Sequence, residues 1–314
     1  MHLRALSQID GVKPVAVSKS ARRLRADEAW LAPFRVADLD AAVEQGASLC
    51  IIATETAAHA EDVAAVIGRG IHVLVEKPMA RNAEEANALW RLAQNRHTTL
   101  FVGCTLRFSE SLRAFRDRLP LIGRLHAVRI ECQSYLPQWR PDRPYRESYS
   151  ARADEGGVLR DLIHEIDYAG WLFGWPASVQ ANVRNLGRLR IDADEAVDLL
   201  WGTAEGAGVS LRLDYLSRPS RRRMRASGEQ GTLEWDGIEA TATLALADAA
   251  VRVIRSSQTR DEMVLAQAEA FIRANRGMSD PRLATPDDGV NALAICDAAR
   301  RASASKREER VEYP

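Results

Sequence analysis

Ile71-His72-Val73-Leu74-Val75-Glu76-Lys77-Pro78-Met79 is the stretch on which the fold turns. Residues 71–75 read as a strand of β-branched and aliphatic side chains, which needs apolar cover on both faces. The charges begin where the strand stops, and Pro78 cannot extend the ladder. In an open α/β sheet, ligands bind just beyond the carboxyl ends of the strands. Lys77, held there between an acid and a proline, is placed for chemistry. Taken alone, the tripeptide fits a solvated strand end with an ordinary ion pair at least as well.

Outward from this strand the pattern repeats. Leu3, Leu6 and Ile9 fall at helical spacing, residues 12–18 read as a short strand, and residues 20–28 as a polar helix. A brief strand at 34–36 precedes a helix capped by Asp38. A buried strand is predicted over 49–53, a helix over 58–69 ended by Gly70, a helix over 82–95 and a strand over 99–104. Strands alternating with helices of this length mean βαβ units and a parallel sheet. The first domain therefore spans 1–106. From 107 the pattern changes to a linking helix over 109–119, a long alternating strand over 124–135, a loop over 136–155 and a helix over 158–173. Six strand-like runs follow between 178 and 246, then helices over 260–275 and 287–302. The second domain, 107–314, reads as α/β with a largely antiparallel open sheet covered on one face.

A dinucleotide-binding doubly wound sheet begins with a strand and a glycine-rich turn before its first helix. Here the first helix has neither in front of it. Strand 1 lies at the centre of such a sheet, so its absence leaves two neighbours with unpaired edges. Each buried, unmade backbone bond costs roughly 1–3 kcal/mol. The expectation is that Met1 lies inside a longer natural domain; a real truncation that weakens cofactor binding is the competing reading.

The chain has 314 residues, 46% hydrophobic and 27% charged, with Lys+Arg and Asp+Glu balanced at 43 each, which leaves no global field to draw it to nucleic acid or a membrane surface. Cys50, Cys104, Cys132 and Cys296 sit apart in apolar runs, which suits buried free thiols better than zinc. No signal peptide or membrane-length apolar run is visible, so the cytoplasm is expected; no His/Cys/Asp cluster has convincing metal spacing, and no metal is expected.

The second chemical constellation is Gly156-Gly157-Val158-Leu159-Arg160-Asp161-Leu162-Ile163-His164-Glu165-Ile166-Asp167. On one helix, Asp161 and His164 would share a face. An aspartate beside a histidine orients the ring and suits acid–base work; a capping Asp and a satisfied core histidine fit the same spacing. Glu76-Lys77-Pro78, then Arg107-Phe108, then the glycine pair with Asp161 and His164 resemble, in order and over nearly the whole chain, the Gfo/Idh/MocA family. The stretches 134–141 and 149–151 resemble a branch associated with cell-surface sugar pathways. The resemblance implies a Rossmann domain, NAD(P)-linked hydride transfer at a sugar, nucleotide-sugar or cyclitol carbon, and a homo-oligomer, dimer or tetramer, formed through the open sheet. It assigns Lys77 to both nicotinamide ribose and substrate, His164 to the acid–base role and Asp161 to its support, with Glu76 and Arg107 on the cofactor side.

The chemistry agrees: removing a carbinol proton suits histidine, and an ammonium steadies the developing alkoxide. Thr54 and His59 stand where the family approaches the nucleotide, though Thr56 could simply start a helix. Ser18-Lys19 with Arg22 offers positive charge where NAD users carry an acid, which leans toward the 2′-phosphate of NADP over NAD; a solvated basic helix is equally compatible. Tyr135, Trp139, Arg140, Tyr149 and Arg152 mix ring faces with guanidinium forks, suited to an acidic or nucleotide-linked sugar, or to a plain solvated loop. Arg221-Arg222-Arg223 alternates within a strand and reads as a solvated sheet face. Two departures from the family stand out: Glu155 precedes a pair of glycines where three are usual, and Arg160 precedes Asp161. A non-catalytic binding or scaffold homologue that has lost the pyrophosphate turn is the alternative to the enzyme.

Overall fold

The computed structural model describes residues 1–18 and 26–314. In chain order the first unit comprises α1 (His2–Leu6), β1 (Ala16–Val17), β2 (Arg35–Val36), α2 (Leu39–Glu44), β3 (Leu49–Ile52), α3 (Thr56–Ile67), β4 (His72–Glu76), α4 (Ala83–Asn95) and β5 (Leu100–Gly103). Strands β3, β4 and β5 pair in parallel in that order. Successive side chains of a strand point to opposite faces, and β4 uses both. Val73 and Val75 face a core shared with Val63, Ile67 and Leu89, while Leu74 faces Phe108, Ala270 and Phe271. Asn82 starts α4 by accepting from the Glu85 N–H at 2.8 Å. Strand β1 pairs with β2 in a separate two-stranded sheet, and among the described residues no strand joins β1 to β3.

The second unit comprises α5 (Glu110–Arg116), β6 (Leu125–Tyr135), α6 (Val158–Asp161), α7 (His164–Phe173), β7 (Ser178–Arg184), β8 (Ala196–Gly202), β9 (Gly208–Asp214), β10 (Leu216–Gly228), β11 (Gly231–Asp236), β12 (Thr241–Leu246), β13 (Arg252–Arg255), α8 (Arg260–Ala274), α9 (Pro286–Ser305) and β14 (Glu309–Arg310). Its nine strands run β13-β12-β11-β10-β6-β9-β8-β7-β14. Only the β6–β9 pair is parallel, as expected of a mostly antiparallel sheet. Alternation sorts the arginine run: Met224 and Ala226 point into the core, whereas Arg223 and Arg225 face outward and pair with Asp236 and Glu234.

Four differences from the sequence reading have physical causes. Residues 158–173 form two helices, because Leu162 (φ −97°, ψ 28°) leaves helical geometry. Helix α8, expected with the second sheet, instead covers the free face of β3-β4-β5, with Phe271 edge-on to Phe101 at 6.1 Å; a sheet buried on both faces needs that second layer. Strands β13 and β14 are short, and their polar sequence carries little periodic signal. The helix expected over 20–28 lies largely outside the described residues, and Ala26–Phe34 is a 3-10 helix. No described helix is long and apolar enough to cross a membrane.

Candidate active site

Strand β4 ends at Glu76 and delivers Lys77 across the boundary between the two units. The Lys77 ammonium donates to the main-chain carbonyl of Asp161 at 2.7 Å. That carbonyl is free because the helix breaks there: the Glu165 N–H turns to Leu162 instead, at 3.2 Å. The break therefore leaves Asp161 as the last residue of α6 and His164 as the first of α7, both beside the ammonium. The corner is braced from below. His59, 1% exposed, spans the loops after β3 and β4, with Nδ1 2.9 Å from the Pro78 carbonyl and Nε2 3.1 Å from that of Thr54. Glu76 bonds His2 of α1 at 2.7 Å. Burial works to raise the Glu76 carboxyl, but the His2 bond and the charges of His2 and Lys77 hold it below its ordinary value.

The turn 156–161 owes its shape to glycine. A Cβ on Gly156 would strike the Tyr149 carbonyl, and one on Gly157, at φ +91°, would strike the Asp194 carboxylate. Asp194 in turn accepts from the Leu159 N–H at 2.9 Å and pairs with Arg300. With the glycines, the loop bearing Tyr149 packs directly against the helix bearing Asp161. The Asp161 carboxylate takes a hydrogen bond from the Tyr215 hydroxyl through Oδ2, while Oδ1 stays buried without a partner, as does Nδ1 of His164. An unpaired buried polar atom costs about 1–3 kcal/mol, and both of these belong to the short stretch 161–164. Burial, reinforced by the charges of Lys77, Arg222 and Arg260, holds the His164 imidazole well below its ordinary 6.5, and it is neutral near pH 7. Burial and the charge of Asp161 push the phenols of Tyr149 and Tyr215 up, so both remain protonated.

Beyond Tyr149 lies a cleft of about 240 Å³, lined among others by Trp139, Arg140, Arg143, Tyr145, Tyr149 and Glu55. Three of the expected substrate contacts, Trp139, Arg140 and Tyr149, are there; Arg140 stacks on the Tyr149 ring at 5.8 Å. Two are not. Tyr135 is covered by the Arg218 guanidinium, 3.3 Å from its ring centre. Arg152 is spent on Glu55 and Glu155. Glu155, whose Oε2 accepts from Ala57 at 2.9 Å, fills the N-terminus of α3 with a resident carboxylate.

Arg107 also departs from its expected cofactor contact. It is 2% exposed, with Nε and Nη2 on Asp167 and Nη1 on Asp288 at 3.0 Å. A guanidinium so enclosed ties β5 to α7 and α9 and has no free fork for a ligand. His59 is a brace for the same reason. Thr54 stays exposed, with its hydroxyl on Asp62 at 2.8 Å. Ser18 is exposed, and Lys19 and Arg22 lie outside the described residues. Tyr215 escaped the sequence reading, Glu155 was noted only as a departure from the family, and Arg222, read as part of a solvated sheet face, instead turns inward to the fully buried Glu165 at 2.8 Å. The alternation of Leu211 and Leu213 along β9 makes Tyr215, just past its end, an inward position but says nothing of its partner.

The corner leaves room for a dinucleotide on two counts: residues 53–55 stand exposed at the carboxyl end of β3, and the stretch 161–164 that meets Lys77 carries two buried polar atoms without partners. Parallel strands ending at such a corner, backed by a second α/β unit, have the architecture in which dinucleotides bind. Residues 1–104 match the oxidoreductase family with an NAD-binding Rossmann fold, and residues 121–234 match the GFO/IDH/MocA C-terminal domain. The rhizopine catabolism protein MocA of Rhizobium meliloti is 30% identical over 95% of this chain and 90% of its own. Inositol 2-dehydrogenase of Rhizobium meliloti is 27% identical over 98% and 94%. Levoglucosan dehydrogenase in complex with NADH shares the fold at a TM-score of 0.86 and 20% identity, covering 100% of this chain and 95% of that one. The chain belongs to the Gfo/Idh/MocA family.

Proposed function

We propose that the protein is a dehydrogenase or reductase that moves a hydride between NAD(P) and a CH–OH carbon of a sugar, nucleotide sugar or cyclitol. The observation that carries this reading is the 2.7 Å bond from Lys77 to the Asp161 carbonyl, which brings two distant pieces of chain into one corner. When bound, the nicotinamide accepts or donates the hydride. The protein's task is the proton. Neutral His164 takes the hydroxyl proton in oxidation and returns it in reduction. The Lys77 ammonium steadies the alkoxide that develops in between. Asp161, one oxygen held by Tyr215, presents the other to the polyol. Trp139 and Tyr149 supply faces for the ring, with Arg140 beside them for any acidic substituent.

In this reading residues 1–106 form the cofactor side, with Thr54 near the nucleotide, and residues 107–314 form the substrate side and an oligomer contact through the outer sheet face. Ser18, Lys19 and Arg22 favour NADP over NAD. The setting is the cytoplasm. Fluorescence titration with NADPH and NADH, followed by turnover of a panel of cyclitols, sugars and nucleotide sugars, tests it. One cofactor should bind and at least one polyol should be oxidised. Lys77→Met and His164→Ala should bind cofactor yet lose about 10²–10⁴-fold in kcat. Undiminished turnover in either variant refutes the assigned roles.

A further inference from the structure

We propose that Tyr215 is a positioning residue that fixes the Asp161 carboxylate for the proton step and ties it to the wall of the cleft at Trp139, an inference that rests on the proposed roles of Lys77, Asp161 and His164. The Tyr215 side chain is wholly buried, and its hydroxyl donates to Oδ2 of Asp161. That bond takes up Oδ2; Oδ1 is buried and without a hydrogen-bond partner, with the Tyr149 phenol close to the same carboxylate. The tyrosine is itself held on every side. Its N–H donates to the Glu195 carbonyl at 2.9 Å and its carbonyl accepts from Leu136 at 3.0 Å. The turn that follows is pinned by Asp214, which accepts from the main-chain N–H groups of Leu216 and Ser217 at 2.9 and 2.8 Å and from Gln133 at 2.7 Å. On the ring's other side Trp139 meets Tyr215 edge-on, 5.3 Å between centres at 89°, with its indole N–H on Ser134 at 2.9 Å. Trp139 lines the cleft. A rigid path therefore runs from the cleft wall through Trp139 and the Tyr215 phenol to the aspartate whose carbonyl holds Lys77. Nothing in this path reacts. It sets the direction of a group that does, and misplacing such a group by an ångström is enough to cost orders of magnitude in rate.

Tyr215→Phe removes the one hydrogen bond and keeps the ring. Kinetics would use whichever of myo-inositol, levoglucosan, glucose and UDP-N-acetylglucosamine the wild type oxidises fastest with NAD⁺ or NADP⁺. The variant is expected to lose about 10-fold or more in kcat while KM moves less than about 3-fold, because the bond acts on the reacting geometry and not on ground-state binding. In an Asp161→Asn background the same substitution should make no further difference. A purely structural tyrosine would instead multiply its loss onto that of Asp161→Asn, or raise KM, and either result overturns the proposal. Urea unfolding of the two single variants and the double variant gives a second readout that needs no substrate. A double-variant loss of stability smaller than the sum of the single losses supports the bond, and simple addition overturns it. If Lys77→Met abolishes turnover while Tyr215→Phe runs at wild-type speed, this inference alone fails. If Lys77→Met is fully active, the underlying site assignment fails.

Discussion

His164 carries an imidazole that its surroundings keep neutral. Burial is the larger cause, and the cations Lys77, Arg222 and Arg260 add to it. A neutral ring is the form a proton acceptor needs, so the acid limb of kcat/KM for oxidation should fall below pH 6.5, the ordinary histidine value. A limb at or above that pH would contradict the electrostatics. Stability responds with a definite sign. As pH drops from 6.5 toward the depressed folded-state value, the unfolded chain binds a proton that the folded chain refuses, so stability falls on acidification. One such group contributes a slope of up to about 1.4 kcal/mol per pH unit. His59, also lowered by burial, adds to it in the same direction. Urea melts of His164→Asn between about pH 7 and 5 should therefore decline less steeply than those of wild type, by roughly one proton in slope. Identical slopes would mean that His164 is not held neutral. Both Lys77 and His164 could be found from the sequence, because a charged group ending a buried strand and a histidine three residues from an aspartate are local patterns. Tyr215 could not, since its partner lies 54 positions away and only the fold joins them.

At the scale of elements, the site depends on two packing contacts that no single segment contains. The first is the glycine turn against Asp194. Gly157→Ala would combine a left-handed backbone with a collision against a carboxylate that caps α6. A loss of about 1–3 kcal/mol by urea unfolding is expected, together with reduced kcat from the displaced Asp161; unchanged stability would show that the turn is not so constrained. The second is Glu155 on the N-terminus of α3, where a sequence departure turned out to be a bridge between units. Here local pattern misled for a physical reason. The run 158–173 is apolar apart from a polar stripe and reads as one helix, yet it splits where Leu162 leaves helical geometry, and the Asp161 carbonyl freed there takes the Lys77 ammonium. The break thus falls at the position proposed for the chemistry. The parallel strands and the long antiparallel ones were legible from their periods of apolar residues; β13 and β14, short and polar, were not.

Across the whole molecule, the two units are joined by buried charge and by helices exchanged over the boundary. Arg107 links the end of the parallel sheet to Asp167 on α7 and Asp288 on α9, all within a nearly closed network. Arg107→Met would leave Asp167 buried and uncompensated and should cost about 3–5 kcal/mol. The folded fraction should still bind NADH or NADPH within about 3-fold of wild type; a selective loss of cofactor affinity at full stability would restore the cofactor role first expected of this residue. The domain boundary in the sequence missed this exchange, since α8 has an amphipathic pattern that fits either sheet and only the empty face of β3-β4-β5 decides between them. The claim on which the rest depends is that the corner at 76–78 and the break at 161–164 work as one site. The kcat of the Lys77→Met, His164→Ala double variant, set beside the two single variants, tests it most directly. If both groups serve one proton step, the double variant should be about as slow as the slower single variant; losses that multiply in full would mean that the two groups act independently, and would contradict a shared site.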